Sequence, residues 1–228
     1  MTESLKIPLY SEEKKTFEYD LEAMLGKETL DAFNLDATLL AQKIKNPLKI
    51  KVGDKAPLFK LPNANGNIIS MESLIKKGPV IITFYRGNWC PYCNLVLNAY
   101  QRIVPEIKVF GANLIAISPQ NPVSSLYMQA KHDLGYDVLS DAENSIAKLF
   151  TTIIDSETEI INEAQKLGVD FYDFYDFYNH DAKDIPVPAV FIIDKNGTVV
   201  FAKSENGDYR LRVEPQEILD ALSNMTKL

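Results

Sequence analysis

Cysteine is nearly absent from this chain: 228 residues contain two, Cys90 and Cys93, three positions apart. Sulfurs that close in sequence cannot staple distant segments, so a disulfide-built scaffold is excluded. Basic runs are missing too. Lys14-Lys15 and Lys76-Lys77 are isolated pairs, no run of five or more basic residues occurs, and the net charge is −7. That excludes a nucleic-acid footprint, and an acidic surface argues against anionic membranes. No stretch approaches the about 20 apolar residues of a membrane span. Met1 to Tyr10 alternates polar and apolar residues and lacks the basic start and apolar centre of a signal peptide, so the expected compartment is the cytoplasm. Low-complexity linkers are absent. The only internal repeat is Phe171-Tyr172-Asp173, Phe174-Tyr175-Asp176, Phe177-Tyr178-Asn179.

What is present suits a globular α/β protein. Hydrophobic residues make up 46% of the chain and aromatics 10%, enough for a sizeable core. The length predicts one domain with additions. Leu21, Met24, Leu25, Leu35, Leu39, Leu40 and Ile44 recur at helical spacing. Residues 1–46 therefore read as an N-terminal helical extension, helical from Ser11 and ended by Asn46-Pro47, with a packing or dimerisation role. Residues 47–228 form the main domain. Asn65-Gly66 signals a hairpin. Val80 to Tyr85 is apolar on both faces, as a central buried strand requires. Leu95 to Phe110 reads as a helix bent at Pro105, Asn113 to Ser118 as a second buried strand, and Pro122 to His132 as a helix. Val138 to Ser140 is a short strand and Ala142 to Phe150 a short helix. An insertion occupies 151–184. Val187 to Asp194 and Thr198 to Lys203 then form a hairpin, and Glu214 opens the last helix. The sum is a central mixed β-sheet with helices on both faces.

The chemistry concentrates at Cys90-Pro91-Tyr92-Cys93. Cys90 follows a buried strand and precedes a helix with Pro91 in its first turn. Cys90 is the expected cap, with Cys93 in the same turn, where free N–H groups and the positive helix end favour thiolates. Both pKa values should fall below the free value of about 8.5, and the pair can cycle between dithiol and disulfide. Cys90 is the more exposed of the two on helix geometry. Pro188, just before a buried strand, is the candidate cis-Pro whose preceding residue, Val187, offers its backbone to a substrate. A zinc site of Cys90, Cys93, His132 and His180 lacks ligand-like spacing, so no metal or cofactor is expected and both histidines read as surface residues.

The chain resembles the alkyl hydroperoxide reductase/thiol-specific antioxidant (AhpC/TSA) proteins, in their peroxiredoxin-like branch. The likeness runs from Lys51 to about Leu222. It rests on Gly53-Asp54-Lys55-Ala56-Pro57-Leu58-Phe59, Phe84-Tyr85-Arg86-Gly87-Asn88-Trp89-Cys90-Pro91-Tyr92-Cys93, Ala116-Ile117-Ser118-Pro119-Gln120 and Val187-Pro188-Ala189-Val190-Phe191-Ile192-Ile193-Asp194. It implies a thioredoxin-like fold. The peroxiredoxin motif Pro-x-x-x-Thr-x-x-Cys falls with its Pro on Arg86, its Thr on Cys90 and its attacking Cys on Cys93. The thioredoxin motif Trp-Cys-x-x-Cys falls on Trp89, Cys90 and Cys93 and makes Cys90 the nucleophile. Where peroxiredoxins carry an Arg before the strand Ala189 to Ile193, this chain has Pro188. Arg86 could restore that charge.

The reading is a thiol-dependent oxidoreductase, with hydroperoxide reduction first and exchange with protein disulfides second. A binding protein with a vestigial dithiol is third. Cys90, Cys93, Arg86 and Pro188 are the catalytic candidates, and Trp89, Tyr92 and Val187 the substrate-binding ones. The resemblance implies a thioredoxin-like reductant. In the insertion, Glu157 to Leu167 reads as an amphipathic helix, and Phe171 to Tyr178 as a core patch, a homodimer interface or a wall of the active site.

Overall fold

The alternation of apolar residues along Val80 to Phe84 determines how the sheet is covered. The structure is a computed structural model and describes residues 7, 9–155 and 184–225. The chain opens with α1 (Tyr10–Leu25) and α2 (Lys27–Lys43), then a hairpin of β1 (Lys60–Pro62) and β2 (Ile68–Ser70), then α3 (Met71–Lys77). β3 (Val80–Phe84) leads to α4 (Pro91–Arg102), α5 (Val104–Val109) and β4 (Asn113–Ser118). α6 (Pro122–Lys131), β5 (Asp137–Ser140), α7 (Ala147–Phe150) and β6 (Ile153–Asp155) follow. β7 (Asp184–Pro186), β8 (Ala189–Ile193), β9 (Val199–Lys203) and α8 (Pro215–Met225) complete the described chain.

The main sheet has the order β5-β4-β3-β8-β9. β3, β4 and β5 are parallel, and β8 pairs antiparallel with both β3 and β9. Val80, Ile82 and Phe84 enter one hydrophobic layer with Phe191, Phe150 and Met71, whereas Ile81 enters the other with Val190, Val96 and Ile218. Helices thus cover both faces, as expected, and both cysteines belong to the second layer.

Local chemistry adjusts several boundaries. The single helical stretch expected from Ser11 is two helices, broken at Gly26, whose φ of +82° costs glycine nothing sterically. The expected bend at Pro105 is a break at Ile103, because a proline deeper in a continuous helix would clash with the preceding turn. The helix expected from Ala142 begins only at Ala147. The Asp141 carboxylate accepts from Ser145 Oγ and from the backbone of Ile146 and Ala147, holding the intervening residues as a loop. The hairpin turn at Asn65-Gly66 forms around Asn63, whose side-chain oxygen accepts from Asn65 and Asn67.

One expectation fails outright. The described residues contain no cis peptide, so Val187–Pro188 is trans. Val187 continues the pairing of β7 with β6: its N–H donates to Thr152 O at 2.8 Å, and its carbonyl accepts from Thr151 Oγ1 at 2.9 Å. Its backbone is therefore already engaged, and Val187 presents no free edge to a substrate. The amphipathic stretch Glu157 to Leu167, the aromatic run Phe171 to Tyr178 and His180 lie outside the described residues.

Candidate active site

β3 ends at Phe84, and the chain turns through Tyr85 to Trp89 before entering α4 with Cys90 as its N-cap and Pro91 in the first turn. Cys90 carbonyl accepts from the Cys93 and Asn94 N–H groups at 3.0 and 3.1 Å, so one turn carries both sulfurs. Gly87 is required here, since a Cβ would run into the Trp89 indole. Gln120, just after β4, braces the turn from the side. It accepts from Asn88 N at 2.6 Å and donates to Asn88 Oδ1 at 2.7 Å. Asn94 Nδ2 donates to the carbonyls of Asn88 and Cys90 at 2.7 and 2.9 Å. Its Oδ1 faces His132 Nε2 at 2.7 Å, so that nitrogen carries the proton. His132 is thus half-buried and part of this network rather than a surface residue. Burial, and then Lys131, hold its pKa below the ordinary range.

Both thiols are enclosed: Cys90 is 1% exposed and Cys93 0%. The greater exposure expected for Cys90 is absent because the N-terminal extension packs over this end of α4. Tyr10, Ala37 and Leu40 join the cysteines in one cluster, and Phe17 meets Tyr92 edge-on at 5.7 Å. The extension is not chemically remote, as its sequence suggested; it roofs the dithiol.

A cationic contact to sulfur comes from a residue that the sequence reading missed. Arg212 Nη2 lies 3.2 Å from Cys93 Sγ, and its Nη1 donates to the carbonyls of Tyr209 and Leu211. Arg212 sits in the loop between β9 and α8, more than a hundred residues from the motif, and is buried. One signal was available: the chain has 4 Arg against 20 Lys, and Arg86 and Arg212 are half of the arginines. Arginine keeps its charge and its donor fork when buried, where lysine deprotonates more readily. Arg86 itself is buried, its guanidinium 4.0 Å from the Tyr209 ring centre and 4.8 Å from that of Trp89.

The two sulfurs are driven apart electrostatically. Burial pushes Cys93 up, but that is outweighed by the Cys90 thiol donating to it, by Arg212, by Arg86 and by the Arg86 backbone N–H, leaving it well below the ordinary thiol range. Cys90 is pushed well above that range, by burial first and then by the Cys93 thiolate. The expectation of two lowered thiols is corrected to one thiolate and one thiol. The Cys90 S–H occupies the place of the threonine hydroxyl in the peroxiredoxin motif and supplies a donor there.

The remaining candidates separate. Trp89 is buried against Arg86 and lines a cavity of about 360 Å³ between α4 and α6. Tyr92 is turned inward, its ring 6.2 Å from that of Tyr209 and its hydroxyl 3.1 Å from Glu18, so it presents little to a substrate. Pro188 carbonyl accepts from Ser204 Oγ at 2.6 Å. Among the described residues no group of three or more His, Cys, Asp or Glu could hold a metal, and no helix is long and apolar enough to cross a membrane.

Comparison with known proteins bears on this geometry. The AhpC/TSA family profile matches residues 52–202. The chain is 28% identical over 132 residues to the chloroplastic peroxiredoxin Q of Populus jackii, covering 54% of this chain and 62% of that protein. It is 30% identical over 122 residues to the chloroplastic peroxiredoxin Q of Gentiana triflora, covering 50% and 56%. It thus spans less than two thirds of the length of these curated relatives. Among solved structures, the peroxidoxin BcpB of Mycobacterium tuberculosis superposes with a TM-score of 0.59 at 20% identity, over 77% of this chain and 98% of that one. That likeness shows the fold.

Proposed function

The chain belongs to the AhpC/TSA family, and on that premise we propose that it is a thiol peroxidase in which Cys93 attacks the peroxide and Cys90 resolves the product. The observation that carries this is the Cys93 sulfur, held 3.2 Å from Arg212 and depressed in pKa, beside a protonated Cys90. The Cys93 thiolate attacks the terminal oxygen of the hydroperoxide and the O–O bond breaks. Cys93 becomes a sulfenic acid, and the alcohol leaves after taking up a proton. Arg212 and Arg86 supply positive charge where negative charge moves from sulfur onto oxygen. Cys90 then attacks the sulfenic sulfur, water departs, and a Cys90–Cys93 disulfide closes within one helical turn. An external thiol returns the pair to the dithiol.

Exchange with protein disulfides receives no such support. It needs Cys90 as the thiolate, whereas burial and the Cys93 thiolate push this sulfur well above the ordinary thiol range. Rapid mixing of the reduced chain with peroxide, followed by sulfenic-acid trapping, tests the assignment. Cys90→Ser accumulates the sulfenic acid at Cys93, and Cys93→Ser forms none. A sulfenic acid formed only at Cys90 overturns it.

A further inference from the structure

We propose that Asn94 is a positioning residue for Cys90, oriented for that task by His132, and that it sets how fast the Cys90–Cys93 disulfide closes. The inference rests on the proposed dithiol–disulfide cycle and names the groups that govern its resolving step.

Asparagine is a poor choice for helix stability alone. Asn94 lies one turn into α4, where such a side chain competes with the backbone for hydrogen bonds. That tendency is spent on the chain just before the helix. Nδ2 donates both of its hydrogens, to Asn88 carbonyl at 2.7 Å and to Cys90 carbonyl at 2.9 Å. One amide thus ties the peptide before Trp89 to the peptide after Cys90. With both hydrogens committed, Oδ1 is left to accept, and it faces His132 Nε2 at 2.7 Å. His132 ends α6 as its C-cap. Before the other end of the same helix, Gln120 holds Asn88 by its N–H and its side-chain oxygen, at 2.6 and 2.7 Å. α6 therefore braces the cysteine turn from both of its ends.

The Cys90 sulfur inherits this restraint. Cys90 caps α4 without a side-chain hydrogen bond to the helix, so no capping bond fixes its thiol. Its side chain has a single heavy-atom torsion, and the backbone with that torsion decides where Sγ lies. The Cys90 N–H donates to Gly87 carbonyl at 3.2 Å, and the Cys90 carbonyl accepts from Cys93 N–H, Asn94 N–H and Asn94 Nδ2. Asn94 supplies two of those three donors. In the resolving step Cys90 Sγ bonds to Cys93 Sγ, the S–O bond of the sulfenic acid breaks, and the Cys90 proton leaves with the hydroxyl as water. Such a step depends on aim, since a misplacement of about 1 Å can cost on the order of 100-fold. Slow closure leaves the sulfenic acid open to a second peroxide, which takes it to the sulfinic acid.

Asn94 and His132 are both half-buried and line the cavity between α4 and α6, which leaves room for a leucine at either position. Trp89, the only tryptophan, adjoins Cys90 and reports the two oxidation phases by its fluorescence. In stopped flow at pH 8, Asn94→Leu should leave the peroxide phase within about twofold, slow the closure phase about tenfold, and raise the yield of Cys93 sulfinic acid under excess peroxide. His132→Leu should shift closure the same way by less. His132→Gln, whose amide nitrogen can replace Nε2, should restore it. If Asn94→Leu does not fold, the two His132 variants give the same reading.

Titration of the full chain against dithiothreitol involves no peroxide. There the Asn94→Leu pair should be about tenfold easier to reduce, a rise of about 30 mV in potential. If the unmodified chain does not react with peroxide, the proposed function falls, and this titration still decides the role of Asn94. Closure rate and potential unchanged in Asn94→Leu overturn the proposal. So do two phases slowed alike together with a lower melting temperature, which would make Asn94 a packing residue, and a His132→Gln variant no better than His132→Leu.

Discussion

The Glu214 carboxylate caps Tyr10 across 204 residues of sequence, accepting its backbone N–H at 2.7 Å. The other carboxylate oxygen accepts the Ser11 N–H at 2.9 Å. α1 has no side-chain cap of its own, and an anion at its first turn also complements the helix dipole. The Tyr10 hydroxyl donates to Arg210 carbonyl at 2.7 Å, two residues before Arg212. Tyr209 and Arg210 reach the other helix of the extension, at Phe33 carbonyl and Asn34 Oδ1. The roof over the dithiol and the loop that supplies its arginine are thus one interlocked unit.

Removing that cap should loosen the roof. Glu214→Ala forfeits about 1 kcal/mol of cap energy, within the usual range of about 0.5–2 kcal/mol. The melting temperature should fall by about 2–4 °C. Alkylation of the reduced cysteines by iodoacetamide should accelerate several-fold as α1 frays. A lower melting temperature with unchanged alkylation would mean that the extension does not control access.

Arg212→Met removes a charge-assisted hydrogen bond to sulfur, the kind of contact that contributes about 1.5–3 kcal/mol. At 1.36 kcal/mol per pKa unit, the Cys93 pKa should rise by about one to two units. The midpoint of thiolate absorbance against pH reads this directly, and the peroxide rate at pH 6 should drop with it. Arg212→Lys keeps a charge without the planar fork and should recover part of the shift. No movement of the midpoint would make Arg212 a packing residue.

Peroxide oxidation should follow a single ionisation. Cys93 is pulled down to about 5, against burial, by the Cys90 thiol and the two arginines. The reactive form is the deprotonated one, so the rate is flat from pH 8 to well below neutrality and falls as pH drops through the folded pKa. Cys90 is raised and stays protonated throughout that window. Cys90→Ser keeps a donor to Cys93 and should leave the midpoint near its original place, whereas Cys90→Ala should move it upward. Stopped-flow oxidation across the pH range checks both, and a midpoint near the free value of about 8.5 would contradict the arrangement.

The sheet was legible because its evidence is local. Val80 to Phe84 and Asn113 to Ser118 are apolar on both faces, and the turns at Asn65-Gly66 and Asn196-Gly197 follow from local backbone preference with the side chains of Asn63 and Asp194 beside them. The motif at Cys90 to Cys93 was legible for the same reason: cap, Pro91 and helix start are contiguous. What could not be read was tertiary. Which sulfur ionises depends on Arg212, brought across the fold by the loop after β9. That both sulfurs are enclosed depends on Phe17, Tyr10 and Leu40, supplied by an extension whose pattern marked only a packing face. The engagement of the Val187 backbone is tertiary as well, since Thr151 and Thr152, just before β6, supply both its partners.

That last pairing yields a prediction opposite to the one the sequence suggested. If Val187 and Pro188 shaped a substrate groove, Pro188→Ala would slow turnover sharply. In the structure the Val187 N–H and carbonyl are bonded to Thr152 and Thr151, and the Pro188 carbonyl to Ser204 Oγ. Alanine can keep every one of these contacts, because none uses the proline nitrogen or ring. The variant loses only the restriction that proline places on the unfolded chain, about 0.4–1 kcal/mol. Peroxide oxidation should therefore stay within about twofold of the unmodified chain, while the denaturation midpoint shifts slightly downward. A tenfold loss of rate in a stably folded Pro188→Ala protein would show that the ring touches the reacting groups and would return Pro188 to the site.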